Sequence, residues 1–93
     1  MSETKAINPH EILVFRRKIK RFSDTGIQET MKILKTVRSM NLDNKMLRCT
    51  EFPRVLLWVA SKLKSSEDES KVKLLKMCKF LFAEYKKQLE QNE

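Results

Sequence analysis

Glycine is almost missing from this 93-residue chain: Gly26 is the only one, and Pro9 and Pro53 are the only prolines. Tight β-turns draw heavily on both residue types, so an all-β architecture is a poor fit. Long apolar runs are missing too. No stretch of roughly 18 apolar residues is present to make a membrane span, and MSETKAINPHE lacks the apolar core of a secretory signal. The chain therefore reads as soluble and intracellular. Histidine occurs once, at His10, and cysteine twice, at Cys49 and Cys78, with no companions at CxxC or C…H spacing. That is no metal-ligand pattern. A Cys49–Cys78 disulfide is arithmetically open, but lone cysteines in lysine-rich helical sequence fit reduced core residues better. His10 reads as a surface residue.

Catalytic signatures are equally scarce. There is no Gly-rich phosphate loop, no carboxylate pair in an apolar setting and no Ser/His/Asp arrangement. Cys78 with His10 would be the one imaginable nucleophile and base. Cys78, however, lies on an apolar helical face with no cation placed to lower its pKa, and a packed small hydrophobe explains it better. We expect a non-enzyme with no catalytic residues, no metal and no cofactor.

What the chain does have is Lys, Glu and Leu in quantity, which favours helix, and a formal net charge of +8. The length suits one domain, assigned to residues 8–91, with flexible ends at 1–7 and 92–93. The charge is partly clustered. RRKIKR, 16–21, contains no acid, whereas SSEDES, 65–70, is acidic and polar. An excess of positive charge suits acidic partners, including nucleic acid, anionic membrane and acidic peptide. A basic helical face also serves plain solubility.

Apolar spacing divides the chain into five helices. Asn8 can cap the first, Pro9 fits its first position and Glu11 sits at capping-box distance. Ile12, Phe15, Ile19 and Phe22 then recur at helical spacing, until SDTG, 23–26, ends the helix. Ile27, Met31, Leu34 and Val37 make a second stripe over about 27–39. Asn41, Asp43 and Asn44 form a turn before a short helix at about 44–49. Thr50 and Glu51 can open a fourth helix, with Pro53 tolerated in its first turn and Leu56, Val59 and Leu63 facing inward. Trp58 then lies well round that helix, either packed on a neighbour or partly exposed. Ser66 and Glu69 have capping-box spacing ahead of a final helix at about 67–90. It turns Leu74, Met77, Cys78, Leu81, Tyr85 and Leu89 inward, with Glu84 and Lys87 paired outside. EQNE should fray. The fold class is an all-α, compact five-helix bundle, with the fourth and fifth helices long and the third short.

The stretch ILKTVRSMNLDNKMLRCTEFPRVLLWVASKL, 33–63, resembles the N-terminal domain of transcription elongation factor S-II. Elongin A, a Mediator subunit and the integrase-binding domain of a chromatin-tethering protein share that family. Leu34, Val37, Met40, Leu42, Leu47 and Thr50 fall without a gap at the positions of its leucine-rich helix, short turn and Leu-x-x-Thr helix end, and Phe52, Leu56 and Val59 continue the pattern. FLFAEYKKQL, 80–89, is similar to the family's terminal motif, with Tyr85 where the tryptophan stands. Pro53 replaces a glycine, and the link at KSSEDES is longer than usual.

The resemblance implies a non-catalytic, nuclear, monomeric module of the transcription elongation or chromatin machinery. Such modules dock short acidic, phenylalanine-containing disordered motifs where two helix connections meet. By position, the docking residues are Lys20, Arg21, Phe22, Ser23 and Asp24 with Lys62, Leu63, Lys64 and Ser65. Phe22 and Leu63 would supply an apolar notch, and the cations would meet the acidic flanks. Two other readings remain. One is nucleic-acid binding through Arg16, Arg17 and Lys18 with Lys20 and Arg21, although these residues circle the helix instead of forming one stripe. The other is a small structural subunit whose apolar last helix, with Phe80 and Phe82 on opposite sides, docks into a larger complex.

Overall fold

A computed structural model describes residues 8–91, and every described element is helical. The ends expected to be flexible, 1–7 and 92–93, lie outside the described residues. Six helices replace the expected five: α1 (Pro9–Lys20), α2 (Phe22–Thr25), α3 (Ile27–Ser39), α4 (Asn44–Thr50), α5 (Phe52–Leu63) and α6 (Glu69–Gln91). All-α holds, while the expected lengths need correction. Only α6, with 23 residues, is long; α5 has 12 residues, the same as α1.

The extra helix comes from a kink. The Asn8 side chain accepts from the His10 amide at 2.9 Å and starts α1. His10 itself is exposed. At Arg21 the backbone leaves helical geometry, with φ −99° and ψ 42°, and the chain resumes as the single turn of α2. The expected first helix is thus cut at Lys20, and Phe22 is carried into the core on a new axis. The Thr25 hydroxyl donates to the Lys18 carbonyl at 2.9 Å, satisfying one of the acceptors that α1 leaves open at its end. Gly26 then turns the chain with φ 100° and ψ 143°, a conformation open in practice only to glycine.

Further along, Asn41 has φ 52°, and Asp43 caps α4 by accepting from the Met46 amide at 2.8 Å. Thr50 ends α4 instead of opening α5. Its buried hydroxyl donates to the Met46 carbonyl at 2.8 Å. Glu51 alone, in the left-handed region, separates the two helices. Pro53 occupies the first turn of α5, where its missing amide proton costs nothing. The cap of α6 is Asp68, not Ser66. Asp68 Oδ1 accepts from the Ser70 amide at 2.9 Å and its carbonyl takes the Val72 amide, while Ser66 holds the Asp68 amide at 3.2 Å. The helix runs on through Gln91, so Glu90 and Gln91 are helical and not frayed.

α6 packs chiefly on α5 and α3, and α1 crosses α5 and α3. Ile12, Ile19, Leu34, Leu56, Val59 and Leu74 are wholly buried between them. Phe52 meets Tyr85 edge to face, with ring centroids 6.1 Å apart. Cys78 is buried in this core and free, whereas Cys49 is free but exposed, so the two are unbonded and only one is a core residue. Glu84 does not serve Lys87; Arg38 of α3 donates its Nε to the Glu84 carboxylate at 3.2 Å. Gln88 clamps α6 to the α3–α4 link, donating to the Leu42 carbonyl at 2.9 Å and to Asn44 Oδ1 at 2.8 Å.

Candidate docking site

The kink that creates α2 brings the end of α1 beside the end of α5. Lys20, Phe22 and Ser23 come from that corner, and Trp58, Lys62 and Leu63 from α5. Ser65 and Ser66 of the α5–α6 link and Lys71 of α6 complete a groove of about 540 Å³. Phe22 and Leu63 are buried, so they form its apolar base and not a protruding contact. Trp58 is 37% exposed, which settles the question its position raised. Its indole lies under two ammonium groups, Lys20 Nζ at 5.5 Å and Lys62 Nζ at 5.2 Å from the ring centroid.

The electrostatics of the groove are one-sided. Lys20, Lys62 and Lys71 line it with no carboxylate among the lining residues. The indole quadrupole attracts two of these cations, each contact being worth about 0.5–1 kcal/mol at an exposed site. Charge of one sign along a concave wall focuses the potential outward and attracts anions. The three serines supply hydroxyls that can donate to or accept from a peptide.

Of the nine residues expected at the site, Lys20, Phe22, Ser23, Lys62, Leu63 and Ser65 line the groove. Arg21, Asp24 and Lys64 are exposed but do not line it. Trp58, Ser66 and Lys71 line it without having been placed there from the sequence. The signal for Lys71 was available, because the α5–α6 link is short and α6 must begin close to where α5 ends. The residues considered for nucleic acid divide between environments. Arg17 and Lys18 are exposed, whereas Arg16 is half-buried, with its Nε enclosed and without a hydrogen-bond partner among the described residues.

Cys78 is pushed up to about 12 by burial, so its thiol stays protonated and is a poor nucleophile at neutral pH. Among the described residues no group of His, Cys, Asp and Glu could hold a metal ion, and no helix is long and apolar enough to cross a membrane. No family model matches the chain, and neither a curated protein nor a solved structure matches it.

Proposed function

We propose that this chain is a non-catalytic protein-interaction module of the S-II N-terminal-domain type, acting in nuclear transcription elongation or chromatin complexes. It docks short acidic, phenylalanine-containing disordered motifs in the groove around Trp58. The observation that carries the reading is the tryptophan flanked by Lys20 and Lys62, with Lys71 nearby and no acid in the wall. A partner ring can stack on the indole once the two ammoniums swing off it to meet the acidic flanks. Tryptophan in a partly desolvated pocket is a frequent hot spot, and complementary charge speeds and orients the encounter. The family resemblance of residues 33–63 and 80–89 points to the same partner class.

Trp58 is the only tryptophan, so its fluorescence reports directly on the groove. Titration with an acidic peptide bearing one phenylalanine should shift the emission. Combined Lys20→Glu and Lys62→Glu substitutions should weaken binding by at least about tenfold, since two close charge contacts become repulsive. Emission that ignores the peptide, or affinity unchanged in the double variant, removes the basis for the proposal. Tighter binding of short duplex DNA than of the peptide, with NMR shifts centred on Arg16–Lys18, would favour the nucleic-acid reading instead.

A further inference from the structure

The C-terminal halves of α3 and α6 leave a second open groove between them, about 670 Å³ in volume. Lys35, Arg38 and Lys87 line it against a single acid, Glu84, which Arg38 already engages at 3.2 Å. Adjoining it, and sharing Lys35, Arg38 and Leu81 with it, is an apolar notch of about 150 Å³ completed by Leu34, Met77 and Phe80. Phe80 is 52% exposed, more than any other large apolar side chain among the described residues. The Arg38 guanidinium lies 5.0 Å over its ring. Tyr85, only 5% exposed, belongs to the groove wall, and its hydroxyl has no hydrogen-bond partner among the described residues.

We infer that this α3–α6 face is a second docking surface for a partner segment that is acidic and carries one bulky apolar side chain. That side chain seats against Phe80 and Met77 in the notch, and the carboxylates run along Lys35, Arg38 and Lys87. Charge selects this occupant. A second copy of this chain, at net charge +8, would bring like charge to an already basic face, a juxtaposition that opposes association. The notch has room for one side chain, not for the apolar face of a helix. An exposed aromatic ring rimmed by cations is the pairing that a short acidic-apolar segment satisfies.

No residue lines both this surface and the Trp58 groove. From Lys71 in one to Glu84 in the other, α6 climbs about 20 Å at ~1.5 Å per residue. The two surfaces therefore act separately, and the inference does not depend on the function proposed for the first.

The test is an NMR titration of ¹⁵N-labelled protein, in wild type and in the Lys20→Glu/Lys62→Glu background, with an acidic peptide carrying a single phenylalanine. Amide shifts at Lys35, Arg38, Phe80 and Glu84 should appear in both proteins. Phe80→Ser should weaken them by at least about tenfold, as removal of a central aromatic anchor does, and Phe80→Leu should restore most of the binding. A Lys35→Glu/Lys87→Glu protein, which keeps the Arg38–Glu84 pair and the Arg38 contact with Phe80, should lose the shifts as well. Shifts confined to the Trp58 groove overturn this inference and leave the proposed function standing. Shifts confined to α3 and α6 do the reverse. Shifts at Phe80 that grow with protein concentration alone, or that duplex DNA reproduces, also overturn it.

Discussion

Replacing Tyr85 by phenylalanine should make the protein more stable. The ring is packed against Phe52, and the substitution keeps it there. What it removes is a buried hydroxyl with no partner among the described residues. Leaving such a group unsatisfied costs about 1–3 kcal/mol, so a net gain of about 1 kcal/mol is expected after the loss of the oxygen's own packing contacts. For a domain of this size that corresponds to a rise in Tm of about 4–8 °C. Calorimetry at neutral pH measures it directly, and urea melts with an unchanged slope would show that only stability moved.

The same substitution has a signature in alkali. Burial raises the Tyr85 pKa above its ordinary 10.0, with the Glu84 carboxylate adding to the rise and Arg38 opposing it. A raised folded pKa means that the native state holds its proton after the unfolded chain has released it. The contribution is therefore complete below pH 10.0 and is lost as pH climbs beyond it. Cys78 adds an earlier loss of the same sign, opening at 9.0 and running to about 12. The Tyr85→Phe protein should keep the Cys78 decline and shed the steeper part above pH 10.0. Destabilisation at neutral pH, or an alkaline profile identical to wild type, would mean that the hydroxyl is satisfied in solution and would refute the reasoning.

Phe52→Ala should cost about 3–5 kcal/mol, the usual range for emptying a buried aromatic site; urea denaturation reads it, and a loss below about 1 kcal/mol would show that Phe52 is not central to the core. Gly26→Ala should cost about 1–3 kcal/mol through backbone strain alone, because nothing lies within 4 Å of the added Cβ. A neutral melt for that variant would mean that the α2–α3 turn is not held at φ 100°. A chromogenic thiol reagent should titrate the exposed Cys49 quickly in the folded protein and reach the buried Cys78 only after denaturation. Two fast thiols would contradict the packing of α6.

Local signals carried much of the fold. Asn8 with Pro9, the tolerated position of Pro53, and the inward spacing of Leu56, Val59 and Leu63 were all readable and are all found. The kink at Arg21 was not. Phe22 keeps helical spacing from Ile19, so the pattern continues across a break that only the backbone records. The cap of α6 was misread because Ser66 and Asp68 both offer capping oxygens, and each takes a different amide. Pairings distant in sequence were beyond any local pattern. Arg38 with Glu84 is one; Lys20 over Trp58 is another. The latter contact joins α1 to α5, and spacing within α5 could say only that Trp58 pointed away from Leu56 and Val59.

Helix α6 also governs when the protein can fold. It supplies Leu74, Cys78, Leu81 and Tyr85 to the core, and Gln88 fastens it to the chain between α3 and α4. Until those residues exist, α3 and α5 have chiefly α1 to pack against, and the faces they turn to α6 are bare. During synthesis, at about 5–20 residues per second, the earlier helices must wait several seconds in an unfinished state. The core between α3, α5 and α6 is therefore completed only once the last quarter of the chain has been made.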